Sequence, residues 1–119
     1  NPLNAKLTKL LLVRSGYEVR TAGDAAQALE VLKTFVPRLI LMDLQLPGMD
    51  GFELTRKLKA DPRTRHIVIV AVTAYAMKGD ALRAKEAGCD GYVAKPIDTR
   101  SLPAELAAYL ANRALILPN

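Results

Sequence analysis

Three polar residues stand where apolar stretches of the sequence end, and their side chains together suit one kind of chemistry. Asp43 follows Leu39–Met42, Thr73 follows the stretch IVIVAV, and Lys95 follows YVA. A carboxylate can attack phosphorus as a nucleophile, an ammonium group can neutralise a phosphoryl oxygen, and a hydroxyl can donate a hydrogen bond to another such oxygen. The three residues together therefore favour phosphoryl transfer, to which a protein contributes positioning and charge neutralisation.

These side chains can meet only if the elements that carry them belong to one parallel sheet. The uninterrupted apolar stretches before Asp43 and Thr73 are typical of strands that helices cover on both faces. In open parallel sheets, ligands bind at the carboxyl ends of the strands. Taken singly, Asp43 could cap a turn, Thr73 could cap a helix and Lys95 could lie on the surface. Their joint placement at successive strand ends favours a shared site.

The amino-terminal third of the chain predicts two helices with an alternating stretch between them. Asn1 and Pro2 suit the start of the first helix, and Gly16 suits its end. The stretch YEVRTA alternates apolar and polar residues, which predicts an edge strand with one solvent-exposed face. A second helix begins at Asp24 as its N-cap and stops before Pro37. The predicted buried faces consist of Leu3, Leu7, Leu10 and Leu11 in the first helix, and of Ala25, Ala28, Leu29, Leu32 and Phe35 in the second.

The rest of the chain continues the alternation of strands and helices. QLPGMDG is rich in Pro and Gly and predicts a loop, after which FELTRKLKA has the spacing of a helix. DALRAKEAG predicts another helix, with Asp80 as its cap and Gly88 at its end, and GYVAK predicts a short strand. A final helix, with Pro103 near its first turn, is marked by Leu102, Leu106 and Leu110. The patterns predict five helices and four strands in one α/β domain over residues 1–119, with a parallel sheet covered by helices.

Composition limits the class of protein. The 119 residues carry a net charge of +5 and are half apolar, which fits one domain that buries its own core. The longest uncharged apolar stretch, Ile67–Met77, is about half of the ~20 residues of a membrane-spanning helix, and no signal peptide is visible, so a cytoplasmic protein is expected. The basic stretch Arg56–His66 has no interleaved aromatic residues, which argues against nucleic-acid binding. Cys89 is expected to be a small buried thiol and His66 a surface residue, since neither has companions at metal-ligand spacing.

Three motifs connect this pattern to a known family. LILMDLQLPGMDG, AVTAYAMKGD and GYVAKP occur in this order and spacing, and together they resemble the receiver domain of bacterial two-component response regulators, the CheY-like superfamily. AVTAYAMKGD is most similar to single-domain regulators of the DivK type. The resemblance extends over essentially the whole chain. It implies a flavodoxin-like, doubly wound parallel sheet of five strands in the order 2-1-3-4-5.

The resemblance also implies roles for individual residues. Asp43 would accept a phosphoryl group from a phosphohistidine of a sensor histidine kinase or a histidine phosphotransfer protein. Lys95 would contact the acyl phosphate, and Thr73 would turn its hydroxyl towards it. Tyr92 would move between exposed and buried positions in concert with Thr73, and the peptide bond before Pro96 would be cis. Phosphorylation would thereby remodel a face that binds a downstream protein partner, with no direct role for nucleic acid or membrane.

Further implied features concern Mg²⁺ and the lifetime of the acyl phosphate. Mg²⁺ would bind Asp43 and the backbone carbonyl of Gln45, while the side chains of Gln45 and Tyr75 would flank the path of a hydrolytic water. Family members also carry an acidic pair for Mg²⁺ at the end of a first strand, directly before a stretch like NPLN. That strand, central in the family topology, is not among the 119 residues. The remaining acidic ligands are therefore expected upstream of Asn1.

Two other functions fit parts of the pattern. A phosphatase of the dehalogenase-like type also uses a strand-end aspartate, but it needs a second acid two residues later, where this chain has Gln45. A pseudo-receiver, which docks partners without being phosphorylated, would lack the upstream acidic pair. The leading interpretation is a phosphorylation-controlled interaction domain that is not an enzyme in the usual sense, with at most self-phosphorylation and autodephosphorylation activity.

Overall fold

Two helices come first, and strands and helices then alternate, in the part of the chain that the computed structural model describes, residues 5–44, 50–74 and 79–116. Only the backbone is described for residue 5 and residues 111–116. The helices in these ranges are α1 (Ala5–Arg14), α2 (Ala25–Val31), α3 (Gly51–Ala60), α4 (Asp80–Ala87) and α5 (Leu102–Ile116). The strands are β1 (Leu39–Asp43), β2 (Val68–Thr73) and β3 (Gly91–Ala94). Within the same ranges, no helix is both long enough and apolar enough to cross a membrane.

The three strands form one parallel sheet in the order β1-β2-β3. β2 lies in the middle and every one of its residues is buried, as its uninterrupted apolar sequence predicts. Asp43 pairs with Val72, and Thr73 pairs with Ala94. The carboxyl ends of all three strands therefore lie at one edge of the sheet, and their order matches the last three positions of the predicted order 2-1-3-4-5.

Helices cover both faces of the sheet, which is the doubly wound arrangement that the sequence predicts. One face carries α1 and α5, and its buried core consists of Leu12, Val68, Val70, Val93, Leu102 and Leu106. The other face carries α3 and α4, with partly buried residues of α2 beside them. The buried core of this second face consists of Met42, Phe52, Leu54, Leu58, Ile69, Ala71, Ala84 and Ala87. Successive residues of β2 point to opposite faces of the sheet, so they belong alternately to the cores of the two faces.

Caps determine where α2 and α4 begin and end. The Asp24 carboxylate accepts a hydrogen bond from the Gln27 N–H at 2.8 Å and caps α2, as predicted. Gly88 ends α4 with a φ of 108°, a left-handed conformation that favours glycine. The prediction that Asp80 caps α4 is wrong, because Gly79 holds the cap position and Asp80 is the first helical residue. The Asp80 carboxylate accepts a hydrogen bond from the side chain at the end of β2.

The prediction of an edge strand at residues 17–22 is wrong, so the described residues contain three strands and not four. The alternation itself is present, because Tyr17 and Val19 pack against the core while Glu18 and Arg20 are exposed. A strand, however, needs a neighbour with which to exchange backbone hydrogen bonds. In the described part of the chain, these residues line a cavity of about 660 Å³ that β1 also lines.

The buried face of α1 also differs from the predicted one. Thr8 and Leu12 are buried, whereas Leu7 and Leu10 are about half exposed. Four consecutive apolar residues start at Leu10, so spacing alone does not decide which side of this helix faces the sheet. The remaining residues of the predicted helix start, Asn1, Pro2 and Leu3, lie outside the described residues.

Candidate functional site

The ends of β1 and β3 bring two of the candidate residues into contact. Asp43 is the last residue of β1 and is 3% exposed, and Lys95 directly follows β3. Lys95 Nζ donates a hydrogen bond to Asp43 Oδ1 at 2.8 Å, and the Lys95 side chain is 9% exposed. A buried charge is stable only beside an opposite charge or hydrogen-bonding groups. Each member of this ion pair therefore stabilises the other at the carboxyl edge of the sheet.

Backbone pairing explains why these two side chains meet. Asp43, Val72 and Val93 are paired in a row across the three strands, and directly paired residues point to the same face of a sheet. Lys95 lies two residues after Val93 and therefore shares that face. The Lys95 N–H donates a hydrogen bond to the Thr73 carbonyl at 2.8 Å, which continues the pairing of β2 and β3 beyond the last residue of β3.

Thr73 ends β2 between these two residues, but its hydroxyl takes another direction. Its side chain is fully buried, and Oγ1 donates a hydrogen bond to Asp80 Oδ2 at 2.8 Å. Thr73 lies one residue beyond the row that contains Asp43, so its side chain leaves the opposite face of the sheet, towards α4. The structure thus brings the predicted carboxylate and ammonium together, while the predicted hydroxyl contacts Asp80.

Asp80 belongs to the site, although its sequence position predicted only a helix cap. Its side chain is 14% exposed, and Oδ1 lies 3.8 Å from Nη1 of Arg83. A carboxylate in the first turn of a helix also interacts favourably with the helix dipole. In the sequence, this role could be inferred only from the spacing, since Asp80 is an acid seven residues after Thr73, which ends β2. That spacing suits a cap and a contact with the strand end equally well, and only the three-dimensional arrangement distinguishes the two.

The remaining candidate residues divide between described and undescribed parts of the chain. Tyr92 is exposed, and its carbonyl oxygen accepts a hydrogen bond from the Tyr109 hydroxyl at 3.2 Å. The peptide bond before Pro96 is cis, as expected from the resemblance. Gln45 and Tyr75 lie outside the described residues. Their implied roles, at Mg²⁺ and at the path of a hydrolytic water, stay predictions.

The described residues do not complete a magnesium site by themselves. At this edge of the sheet, Asp43 offers carboxylate oxygen, the ligand type that Mg²⁺ prefers, but the ion requires six oxygen ligands in near-octahedral geometry. Nowhere in the described ranges do three or more His, Cys, Asp or Glu side chains form a group that could hold a metal ion. The prediction of further acidic ligands upstream of Asn1 stays a prediction.

Comparison with known proteins identifies the family of this chain. The sequence profile described as the response regulator receiver domain matches residues 1–107. The chain belongs to the response regulator receiver domain family.

This receiver domain is similar to known relatives over nearly its full length. The polar-differentiation response regulator DivK of Brucella anthropi is 43% identical over 112 residues, which cover 94% of this chain and 91% of the relative. The structure of a putative response regulator from Chloroflexus aurantiacus has a TM-score of 0.83 at 32% identity and covers 90% of this chain and 88% of that one. The receiver domain of a sensor histidine kinase from Pseudomonas aeruginosa PAO1 has a TM-score of 0.81 at 33% identity, covers 93% of this chain and 91% of that one, and has a magnesium ion coordinated in its active-site cleft.

These comparisons confirm the resemblance and the flavodoxin-like fold that the three motifs predict. The protein is a DivK-like receiver domain of a two-component response regulator, and phosphorelay signalling is its function at the level of the family. Receiver domains are signalling domains and not conventional enzymes.

Proposed function

We propose that Asp43 accepts a phosphoryl group from a phosphohistidine of a sensor histidine kinase or a histidine phosphotransfer protein, and that Lys95 neutralises charge on the resulting acyl phosphate. The observation that carries this proposal is the 2.8 Å contact between Lys95 Nζ and Asp43 Oδ1. Both side chains are nearly buried at the carboxyl edge of the sheet. A carboxylate supplies the nucleophile, and the ammonium group beside it is in place before the phosphoryl group arrives.

In the proposed step, a carboxylate oxygen of Asp43 attacks the phosphorus atom of the phosphohistidine. The new O–P bond forms as the P–N bond to the donor imidazole breaks, and the electron pair of that bond remains on the imidazole nitrogen, which takes a proton from water. The ammonium group of Lys95 neutralises the negative charge of the phosphoryl oxygens. Later attack by water on the acyl phosphate releases inorganic phosphate and restores the carboxylate.

Magnesium is part of the proposal, with Asp43 and the backbone carbonyl of Gln45 as ligands and further acids upstream of Asn1. Support comes from the relative in Pseudomonas aeruginosa, whose structure has a magnesium ion in the active-site cleft, and from the preference of this ion for carboxylate and carbonyl oxygens. The transfer step above uses only Asp43 and Lys95.

The proposed output is a change in a protein-interaction face built from α4, β3 and α5. A phosphoryl group adds about two negative charges at Asp43 and shifts the balance between two conformations of the protein. Thr73, at the end of β2, and Tyr92, exposed on β3, are the side chains proposed to change position. Gln45 and Tyr75 are proposed to set the lifetime of the acyl phosphate, and the downstream partner is a protein.

Phosphorylation is tested by incubating the full-length protein with phosphoramidate and Mg²⁺ and measuring intact mass. We expect the wild type to gain one phosphoryl group that hydroxylamine removes, and Asp43→Asn to gain none. A wild type that gains no phosphoryl group, either from phosphoramidate or from a phosphorylated histidine phosphotransfer protein, contradicts the proposal and favours a pseudo-receiver. Circular dichroism of Asp43→Asn provides the control that this variant is folded.

A further inference from the structure

The hydrogen bond between Thr73 and Asp80 competes with the role proposed for Thr73. A threonine hydroxyl has one hydrogen to donate, and in this structure it is donated to Asp80 Oδ2 at 2.8 Å. If the same hydroxyl is to donate to a phosphoryl oxygen on Asp43, it must first leave Asp80. The Thr73–Asp80 hydrogen bond is therefore a feature of the unphosphorylated conformation that phosphorylation has to break.

The surroundings strengthen this hydrogen bond. Thr73 is fully buried and the Asp80 side chain is 14% exposed, so little water competes for either group. A hydrogen bond to an ionised acceptor is stronger than one between neutral groups, and a low local dielectric increases its strength. Arg83 lies near the other carboxylate oxygen of Asp80, and its guanidinium group stacks over the Phe52 ring at 4.3 Å. The Asp80 carboxylate is thus held between β2 and its own helix.

The position of Asp80 extends the effect of this hydrogen bond to a whole element. Asp80 is the first residue of α4, and Ala84 and Ala87 of the same helix are packed against the sheet. When the Thr73 hydroxyl leaves, the start of α4 loses this hydrogen bond to β2. A ligand can shift an equilibrium only by the difference in its interactions with the two states, so every contact that is unique to the unphosphorylated state opposes the shift.

We propose that Asp80 is a positioning residue that holds the Thr73 hydroxyl away from the phosphoryl position and thereby sets how strongly the protein resists activation. This inference rests on the proposed function, because it assumes a phosphoryl group at Asp43. Removal of the Asp80 carboxylate destabilises the unphosphorylated state selectively and leaves the hydroxyl available to the phosphoryl group. The variant consequently binds a phosphoryl analogue more tightly than the wild type does.

Beryllofluoride with Mg²⁺, a mimic of the phosphoryl group, provides the test on the full-length protein. We expect Asp80→Ala to bind beryllofluoride about tenfold more tightly than the wild type, the size of effect that one hydrogen bond to a charged group produces. Asp80→Asn keeps a neutral acceptor and is expected to change the affinity in the same direction by a smaller factor. In the Thr73→Val background, which has no hydroxyl, Asp80→Ala should leave the affinity unchanged.

Two further measurements separate this effect from general loss of stability. Lys59 Nζ donates hydrogen bonds to the Ile67 carbonyl at 2.6 Å and to the Asp90 carboxylate at 2.9 Å, near the amino end of β2 and away from the site. Lys59→Met therefore destabilises the fold, but it is expected to bind beryllofluoride with wild-type affinity. The methyl resonance of Thr73 should shift in unliganded Asp80→Ala and should not shift in Lys59→Met.

The outcomes distinguish this inference from the proposed function. Wild-type affinity in both Asp80→Ala and Asp80→Asn overturns the inference, and so does an Asp80→Ala effect that keeps its full size in the Thr73→Val background. Failure of the wild type itself to bind beryllofluoride overturns the proposed function instead. If Asp80→Ala does not fold, Asp80→Asn and its double variant with Thr73→Val decide the question.

Discussion

At the scale of single residues, a buried ion pair joins two strand ends of this receiver domain. Asp43 and Lys95 are both nearly inaccessible to water, and each charge offsets the desolvation of the other. Such a pair contributes less to stability than its attraction suggests, because water would solvate both charges well in the unfolded chain. Removal of only one member is costly, since the other charge stays at the same site.

Lys95→Met is expected to lower the free energy of unfolding by about 2 to 3 kcal/mol, because it removes the ammonium group from a buried carboxylate. Denaturation with urea measures this change. Asp43→Asn combined with Lys95→Met should recover most of the lost stability, since no charge then remains in the pair. A double variant that is no more stable than Lys95→Met contradicts this account of the ion pair.

The surroundings of Cys89 determine the reactivity of its thiol. His66 is exposed, as predicted, whereas Cys89, which was predicted to be buried, is only half-buried. The Cys89 thiol lies 3.8 Å from the Thr55 hydroxyl. Burial raises the pKa of this thiol, and the hydrogen bond with Thr55 opposes that rise only in part. The thiolate, which is the reactive form, is therefore scarce in the folded protein at neutral pH.

Alkylation of Cys89 by iodoacetamide at pH 8 is expected to be about tenfold slower in the folded protein than in urea, because fewer thiolates form. The raised pKa also has a consequence for stability. The folded state holds the thiol proton more tightly than the unfolded state, so the free energy of unfolding decreases as pH rises through the ordinary thiol pKa towards the higher folded value. Equal alkylation rates in the folded and unfolded protein would contradict both expectations.

At the scale of elements, α5 and β3 fit together through a glycine and an aromatic ring. A methyl group added at Gly91 would overlap the ring of Tyr109, so the ring lies directly on the backbone of β3. The hydroxyl of the same ring donates a hydrogen bond to the Tyr92 carbonyl at 3.2 Å. β3 has only four residues and pairs with β2 on one side. The packing of Tyr109 therefore helps to hold this short strand in place against the last helix.

Gly91→Ala is expected to lower the free energy of unfolding by about 2 kcal/mol, since the added methyl group forces the Tyr109 ring or the backbone to move. Thermal and urea denaturation measure the loss. In a Tyr109→Ala background the ring is gone, and Gly91→Ala should then cost only a small fraction of that amount. An undiminished cost in this background would show that the overlap with Tyr109 is not the cause.

The elements also show where sequence patterns suffice and where they fail. The strands Leu39–Asp43 and Val68–Thr73 could be predicted from sequence alone. A strand that helices cover on both faces is apolar along its length, whichever strands it pairs with. Residues 17–22 have the alternation of a strand without being one, because pairing depends on a neighbour that their own sequence does not specify. In α1, the succession of apolar residues after Leu10 leaves the orientation of the helix to packing. The role of Asp80 was hidden for a similar reason, since a cap and a contact with Thr73 need the same residue type.

For the whole molecule, the position of each strand in the sheet determines how strongly its backbone is protected. β2 is paired on both sides and fully buried, whereas residues 17–22 line a cavity that β1 also lines. The free energy of local opening varies across a fold, from near zero in weakly held segments to the global value in the core.

Hydrogen exchange of the 119-residue chain should therefore be slowest in β2 and orders of magnitude faster at residues 18–22, because amides without stable hydrogen bonds exchange through small local motions. The Tyr17 amide, which donates a hydrogen bond to the Leu12 carbonyl at 3.0 Å, serves as an internal control with intermediate protection. Slow exchange at residues 18–22 would contradict this expectation and would indicate that they are paired in solution.

The contact between Asp43 and Lys95 joins two strands that are not neighbours, since β2 lies between them. Successive residues of a strand point to opposite faces, so a slip of one residue in either pairing would carry one of the two charges to the other side of the sheet. A misaligned molecule would then lack the Asp43–Lys95 ion pair on which the proposed phosphoryl transfer depends, and would not retain a distorted version of it. For a signalling protein, such an error gives an inactive molecule that cannot be phosphorylated, and not one that is active without a stimulus.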